Sequence, residues 1–176
     1  MVMPVKMSKR NCLGYADESQ LGVKIGTRIG LEVWADITPH VIEVTVVDRQ
    51  KIRNNGGNPK IAMILSLTKC NNAWHVDIVR TDSRYKGRSL AVRVYVLIMK
   101  KLSIQLQAGG IQSVGGRYIW NKLALHKDIL AYARKQRGSI KLSLPKSGKS
   151  QLHSIEIDLY GLDNAGTDAE IYAIAI

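Results

Sequence analysis

Apolar and polar positions alternate over much of the first half of the chain, which is the pattern of β-strands. Positions rich in Gly and Asn separate these segments and predict turns, because both residues accept positive φ. We therefore expect a meander of antiparallel strands. The strands are predicted over Leu21–Ile37 (bent, with turns or bulges at Gly22, Gly26 and Gly30), Val41–Val47, Lys60–Thr68 and Ala73–Arg80.

After these strands the period of the pattern changes to that of a helix. Within Ser89–Leu102 the apolar residues recur at helical spacing, and Lys100 and Lys101 lie near the C-terminal end, where positive charge suits the helix dipole. The pattern then predicts a strand over Ser103–Ala108, a helix over Gly115–Leu125 and a strand over Ile129–Arg134.

Both ends of the chain are less regular. Residues 1–20 show no clear periodicity and are predicted to form an arm or cap, whereas residues 21–176 are predicted to form the domain. Three further strands are predicted over Ser139–Leu144, His153–Tyr160 and Glu170–Ile176, and they either complete the sheet or pair with a second subunit in a homodimer. The element order predicts an α/β (α+β) fold with a mixed, mainly antiparallel sheet flanked by helices.

The composition is that of a basic globular protein. Of 176 residues, 45% are hydrophobic, which argues against disorder over the whole length and fits one domain with one core. Lys and Arg exceed Asp and Glu by 26 to 14, giving a net charge of +12. This charge favours anionic partners such as nucleic acid, an anionic cofactor or an acidic protein. The basic residues are spread widely, so a solvated basic surface is the alternative.

Several classes of protein are not indicated. Cys12 and Cys70 have no metal-ligand or disulfide-rich spacing, which fits a reduced cytoplasmic compartment, and the scattered histidines predict no metal site. No signal peptide is expected, since no long apolar region follows the basic start. No stretch approaches the roughly 18 apolar residues of a membrane span, so no membrane partner is expected.

One segment, from Arg84 to Ala91, indicates a binding chemistry. It joins a predicted strand to a predicted helix, where backbone N–H groups and the helix N-terminus can point at a phosphate. Gly87 allows close approach of the backbone to an anion, and Lys86 and Arg88 add positive charge. It lacks the ending of a Walker A loop. The alternative is a basic glycine-containing loop with no ligand.

The residues Arg84-x-x-Gly87-x-Ser89 resemble the Arg/Gln-x-x-Gly-x-Gly/Ala loop of the GNAT superfamily of acyl-CoA N-acyltransferases. Ser89 departs from that pattern and places a hydroxyl near the expected phosphates. The resemblance covers residues 74–132 and implies that the loop holds the pyrophosphate of acetyl-CoA or another acyl-CoA, with the pantetheine arm between two splayed strands. The cofactor-binding residues it implies are Arg84, Tyr85, Lys86, Gly87, Arg88, Ser89 and Ser113, the last also being a predicted helix N-cap.

The second predicted helix carries a further resemblance and a departure. Ser113–Leu123 is similar to a segment of GNAT-like proteins encoded by bacteriophages, which implies a phage origin, with location in the bacterial host cytoplasm or in the virion. Where the family has a tyrosine acid, this chain has Trp120, which cannot serve as an ordinary acid and fits a core anchor. Tyr118 and Tyr132 are the alternatives for the acid, and we take Tyr118 as the catalytic candidate.

A general base is predicted on the strand before the loop. His75 and Asp77 are two residues apart, so their side chains lie on the same face of a strand. They are candidates for acid–base catalysis, and an exposed polar pair without function is the alternative. Glu43, on an earlier strand, is a weaker candidate.

Two functions follow from these features. The first is an acyl-CoA-dependent N-acyltransferase, which transfers an acetyl group to an amine of a protein, a nucleic acid base or a small molecule. The second is a non-catalytic GNAT-fold phage protein, whose basic surface binds nucleic acid, a host protein or virion proteins.

Overall fold

The computed structural model of the chain describes residues 12–52, 57–109, 114–135, 138–141 and 170–176. Within these ranges it contains nine strands, two α-helices and two short 3₁₀ helices. The strands are β1 (Val23–Arg28), β2 (Leu31–Ile37), β3 (Val41–Ile52), β4 (Pro59–Cys70), β5 (Ala73–Thr81), β6 (Leu106–Gln107), β7 (Ile129–Lys135), β8 (Gly138–Lys141) and β9 (Glu170–Ala175). The helices are α1 (Leu90–Leu102) and α2 (Val114–Ala124), with 3₁₀ turns at Glu18–Gln20 and Ser83–Tyr85.

The chain forms two compact units, which are described separately. The first unit contains the described residues up to Leu67 together with Ile78–Val94. The second unit contains Thr68–Asp77 together with the described residues from Tyr95 onwards.

In the first unit the strand order is β1-β2-β3-β4-β5. β1 pairs antiparallel with β2, and β2 pairs antiparallel with β3, as the alternating pattern predicted. The predicted glycine features are present: Gly30 lies in the β1–β2 turn with φ +74°, and the register shifts between Lys24 and Gly26. β3 continues five residues beyond the predicted end at Val47, and the first four of these are polar, which an apolar pattern could not mark.

Residues that precede β1 cover one face of the first unit. The backbone N–H of Ala16 donates to Pro59 O (2.9 Å), and the N–H of Ile61 donates to Gly14 O (3.1 Å). Ala16 and Leu21 are buried in a small apolar cluster with Val47. The described part of the predicted arm is therefore held to the start of β4 by backbone hydrogen bonds.

In the second unit the strand order is β4-β5-β6-β9-β7-β8. β5 and β6 are parallel and pair over two positions, Trp74 with Leu106 and His75 with Gln107. β9 pairs antiparallel with both β6 and β7 and so completes the sheet. This is one of the two alternatives that were predicted for the C-terminal strands. On one face, the cross-strand neighbours Leu106, Ala173 and Ala131 are almost completely buried and form part of the core.

The predicted strand Ser103–Ala108 is shorter in the structure, where β6 spans only Leu106–Gln107. The end of α1 explains the difference. Ser103 adopts φ +51°, and the N–H of Ile104 donates to Met99 O at 3.3 Å. This is the Schellman arrangement, in which the residues after a helix satisfy its last carbonyl groups. Residues 103–105 therefore end the helix and cannot extend the strand.

The remaining predictions agree with the structure where it describes the chain. α2 covers most of the predicted Gly115–Leu125, and β7 matches the predicted strand at Ile129–Arg134. The predicted strand at 139–144 overlaps β8 at residues 139–141, and residues 142–144 and the predicted strand at 153–160 lie outside the described residues. In the part of the chain that is described, no helix is long and apolar enough to cross a membrane.

The fold class is confirmed as mixed α+β with a mainly antiparallel sheet. The elements follow one another in the order β5, α1, β6, α2 and β7. A loop and the helix α1 connect β5 to the parallel strand β6, and the helix α2 connects β6 to β7. This succession is consistent with the GNAT-like fold that the sequence resemblance implies.

Gly22 provides a test of the packing of the first unit. It has φ +74°, and a Cβ added there would lie 2.3 Å from the carbonyl oxygen of Ala35. Gly22→Ala therefore adds a steric clash to backbone strain, and we expect it to lower the free energy of unfolding by about 3 kcal/mol or more. Urea unfolding of the full chain followed by tryptophan fluorescence measures this.

Gly30→Ala is the matched control. Gly30 also has φ +74°, but a Cβ added there meets no atom within 4 Å. Only the left-handed backbone is penalised, so we expect a loss of about 1 kcal/mol. Equal losses for the two variants would contradict the steric role of Ala35.

Candidate functional site

The predicted phosphate loop, which begins at Arg84, is preceded by a fully buried carboxylate, that of Asp82. One oxygen, Oδ2, accepts from the backbone N–H of Leu13 at 2.9 Å and lies 3.5 Å from Nζ of Lys60. The other, Oδ1, accepts from the backbone N–H of Arg84 at 3.1 Å and so caps the 3₁₀ turn Ser83–Tyr85. The backbone N–H of Asp82 donates to Ala62 O of β4. Asp82 thus joins the arm, β4 and the loop.

Arg84 is held in one orientation by the same carboxylate. Its Nε and Nη2 donate to the two oxygens of Asp82, each at 3.1 Å, in a bidentate pair. The Arg84 side chain is 47% exposed. Because the pair uses one edge of the planar guanidinium, the other edge is left for a second anion. Arg84 is therefore a positioned cation of the loop, and its charge is partly compensated by Asp82.

The pKa of Asp82 lies well below its ordinary value. Burial by itself raises the pKa of a carboxyl, but hydrogen bonds from the side chain and backbone of Arg84 and from the backbone of Leu13 favour the ionised form and outweigh it. Asp82 is therefore ionised throughout the physiological range and can hold Arg84 as a charged pair.

Among the loop residues Arg84–Ser89, Tyr85 is the one whose side chain lies inside the protein. It is only 2% exposed, and its hydroxyl donates to Oδ2 of Asp48 at 2.7 Å. Burial and this hydrogen bond raise the pKa of Tyr85 well above its usual value. The ammonium of Lys51 lies 4.8 Å from the ring centroid. The Tyr85 side chain therefore anchors the loop and does not contribute to its outer surface.

The following four residues, Lys86, Gly87, Arg88 and Ser89, are all exposed. Gly87 has φ +79° and Ser89 has φ +52°, so the backbone twice enters the left-handed region within three residues. At Ser89 this conformation occurs in a residue that has a Cβ, which is uncommon. The loop therefore combines two exposed cations with an unusual backbone directly before a helix.

The loop leads into the N-terminus of α1. The carbonyl of Ser89 accepts the first helical hydrogen bond, from the N–H of Arg93 at 3.1 Å. The N–H groups of the first turn have no acceptor within the helix, and α1 has no acidic residue in its first turn. Exposed Lys86 and Arg88, the outer edge of Arg84 and this helix start are all donors to anions. This donor set fits a phosphate group.

The predicted base residues form a hydrogen-bonded chain in the second unit. Nδ1 of His75 lies 2.8 Å from Oδ1 of Asp77, and both side chains are about one-third exposed, at 32% and 34%. Oδ2 of Asp77 accepts from the hydroxyl of Thr68 on β4. The two strand residues therefore contact each other directly, and both side chains remain partly accessible to solvent.

α2 buries Trp120 and exposes the acid candidate Tyr118. Trp120 is 4% exposed and packs edge-on against the buried Tyr95, with ring centroids 6.3 Å apart at 75°. This is the geometry of a core anchor. Tyr118 is 51% exposed, with Nζ of Lys122 5.4 Å from its ring centroid. Tyr132 lies elsewhere in the second unit, where its hydroxyl accepts from Gln105 and its ring stacks on Tyr172.

Three residues that the sequence analysis did not single out support these groups: Asp82, Asp48 and Thr68. For Asp82 a signal existed, because an Asp two residues before the loop Arg is typical of a helical N-cap. Asp48 and Thr68 act through contacts 37 and 9 positions away in the chain, which periodicity does not reveal.

Ser113, the remaining predicted cofactor-binding residue, lies outside the described residues. Among the described residues, no group of His, Cys, Asp and Glu could hold a metal ion.

Comparison with known proteins gives limited similarity. No family model and no curated protein matches the chain. Among solved structures, the chain is similar to the ribosomal-protein-S18-alanine N-acetyltransferase from Escherichia coli, with a TM-score of 0.38 and 11% identity, over 80% of this chain and 72% of that one. Because these values are low, the fold of this chain is described from its own strand pairings and not from that structure.

The buried carboxylate predicts a pH dependence of stability. The folded-state pKa of Asp82 is lowered below the unfolded value of about 3.9, so Asp82 stabilises the fold above that value and loses this contribution as the pH falls. Asp82→Asn leaves Lys60, whose side chain is 5% exposed, without its carboxylate. We expect a loss of about 3 kcal/mol at pH 7.

Urea midpoints of wild type and Asp82→Asn, measured from pH 7 down to pH 3, test this expectation. The wild-type midpoint should fall more steeply with decreasing pH than that of the variant, so that the two approach each other. Parallel curves would show that another carboxylate controls acid stability.

Proposed function

We propose that this protein is an acyl-CoA-dependent N-acyltransferase, with acetyl-CoA as the donor and an amine as the acceptor. The observation that carries the proposal is the parallel pair of β5 and β6, joined through the basic loop Arg84–Ser89 and α1. The GNAT resemblance of the sequence implies this connection, with the loop as the phosphate-binding element.

The first role belongs to the loop. The outer edge of Arg84, the ammonium of Lys86, the guanidinium of Arg88 and the N–H groups at the start of α1 would bind the pyrophosphate of the cofactor. Gly87 would let the backbone approach the phosphate oxygens closely. Asp82 and Tyr85 would hold the loop from below, since both side chains are buried and hydrogen-bonded. The net charge of +12 would increase the rate of encounter with a polyanionic cofactor.

The second role is proton transfer. A neutral amine attacks the thioester carbonyl, the new C–N bond forms, and the C–S bond breaks to release CoA as a thiolate. His75 would accept the proton that the amine loses, with Asp77 stabilising the resulting imidazolium. Tyr118 would donate a proton to the thiolate. Backbone N–H groups of β5 would stabilise the negative charge that develops on the carbonyl oxygen.

The loop assignment is tested by Gly87→Glu in calorimetric titration with acetyl-CoA. The variant places a carboxylate among the cations of the loop and strains a position with φ +79°. We expect wild type to bind and the variant to bind at least about 100-fold more weakly, because a phosphate would meet a like charge.

Gly30→Glu is the matched control for this substitution. Gly30 has φ +74° and equally open surroundings, but it lies in the β1–β2 turn. The Gly30→Glu variant should bind acetyl-CoA with the affinity of the wild-type protein. Equal weakening in both variants would show that net charge and not the loop governs binding, and no binding to wild type would overturn the proposed function.

The chemical roles are tested by His75→Gln and Tyr118→Phe. With acetyl-CoA and a panel of amines (a lysine peptide, a peptide with a free N-terminus, and spermidine), CoA release is followed by a thiol reagent. We expect His75→Gln to lower kcat about 100-fold and to leave acetyl-CoA binding unchanged, since general-base catalysis contributes on this scale. Tyr118→Phe should lower kcat about tenfold or more for the same reason. Unchanged kcat in either variant would contradict the role assigned to that residue.

A second function is favoured by the packing of Trp120. Since the residue at the position of the family acid is buried against Tyr95, a non-catalytic protein that binds nucleic acid or another anionic partner through its basic surface is the alternative. The second function would be supported if the wild-type protein failed to bind acetyl-CoA but bound duplex DNA. The affinity for DNA should then fall steeply as the salt concentration rises.

A further inference from the structure

The His75–Asp77 pair is completed by a third residue from the neighbouring strand. Thr68 lies near the end of β4, and its hydroxyl donates to Oδ2 of Asp77. Oδ1 of the same carboxylate contacts Nδ1 of His75 at 2.8 Å. Each carboxylate oxygen therefore has its own partner, and Thr68, Asp77 and His75 form an unbranched chain across the β4–β5 pair.

This arrangement determines which nitrogen of His75 can act as a base. An ionised carboxylate only accepts hydrogen bonds, so Nδ1 of His75 must carry the hydrogen of the 2.8 Å contact. In the neutral imidazole, Nε2 then carries the lone pair and is the nitrogen able to take a proton. The imidazole in water favours the other tautomer, so the carboxylate must be held in place for this one to dominate.

The Asp77 side chain is held by Thr68. Both Asp77 and His75 are about one-third exposed, so packing alone does not restrict the carboxylate to one rotamer. A hydrogen bond from a β-branched residue on the adjacent strand supplies that restriction, because the χ1 angle of Thr is itself limited. Without it the carboxylate could turn towards water, and the contact with Nδ1 would be lost for part of the time.

We propose that Thr68 is a positioning residue, which orients Asp77 so that His75 presents Nε2 as the proton acceptor. This inference rests on the proposed function, because it assigns Thr68 a part in the deprotonation of the acceptor amine. Thr68 does not touch the reacting atoms. It orients Asp77, and Asp77 in turn orients His75, as the carboxylate of a hydrolase triad orients its histidine.

The test uses Thr68→Val, which keeps the β-branched shape and removes the hydroxyl, and Thr68→Ser, which keeps the hydroxyl. In the full chain labelled with ¹⁵N-histidine, long-range ¹H–¹⁵N spectra at pH 8 identify the tautomer of His75. We expect the Nδ1–H form in wild type and Thr68→Ser, and a shift towards the Nε2–H form in Thr68→Val. Asp77→Ala should produce the same shift.

The kinetic measurement runs alongside the spectra. In Thr68→Val we expect kcat to fall about tenfold with an unchanged KM for acetyl-CoA, since a misplaced base costs rate and not cofactor affinity. Thr68→Ser should restore kcat to within about twofold of wild type, because the hydroxyl is the group required.

Ser66→Ala is the matched control. Ser66 lies two residues before Thr68 on β4, and its hydroxyl donates to Oε1 of Glu43 at 2.6 Å. This is also an exposed hydrogen bond from a hydroxyl to a carboxylate on a neighbouring strand, but it does not involve a histidine. Its removal should not change the tautomer of His75, which is the property that this control tests.

The outcomes separate this inference from the function on which it rests. An unchanged His75 tautomer in Thr68→Val would overturn the positioning role even if acyl transfer proceeds. A shifted tautomer with unchanged kcat in an active enzyme would also overturn it. Absence of transfer in wild type, with acetyl-CoA failing to bind, would overturn the proposed function itself and with it the catalytic role of Thr68.

Discussion

The buried carboxylate of Asp82 is the constraint on which the first unit depends. An ion removed from water must be compensated in full, and Asp82 obtains this compensation from three separate parts of the chain: the N–H of Leu13, the ammonium of Lys60 and the side chain and backbone of Arg84. These parts lie far apart in sequence. Displacing any one of them would remove part of the compensation of a buried charge, so the carboxylate ties the start of the loop to the arm and to β4.

The segment after Asp82 divides its residues between the interior and the surface. Tyr85 turns inward to Asp48, whereas Lys86, Gly87, Arg88 and Ser89 remain exposed. The phosphate-binding role proposed for this loop needs both parts, because donors must be accessible but must not reorganise when the ligand arrives. The bidentate pair with Asp82 holds one edge of the Arg84 guanidinium in place, which suits the same proposed role.

The sequence predicted those features that depend on neighbours along the chain. Alternation located the strands of the first half, helical spacing located α1 and α2, and glycine marked the turn at Gly30. It could not indicate contacts between residues on different elements. The inward position of Tyr85 depends on Asp48, and the chain of bonds to His75 depends on Thr68. The short β6 was missed because Ser103 takes a left-handed conformation at the end of α1, which is more usual for glycine.

The place of β9 between β6 and β7 has a consequence for folding kinetics. Its two neighbours precede it in the chain by more than 60 and about 40 residues, so their pairing closes long loops and raises the contact order of the second unit. Until Glu170–Ala175 has paired, both β6 and β7 present open strand edges. The second unit is therefore expected to form slowly, and a chain in which β9 has not yet paired exposes two edges through which it can associate with another chain.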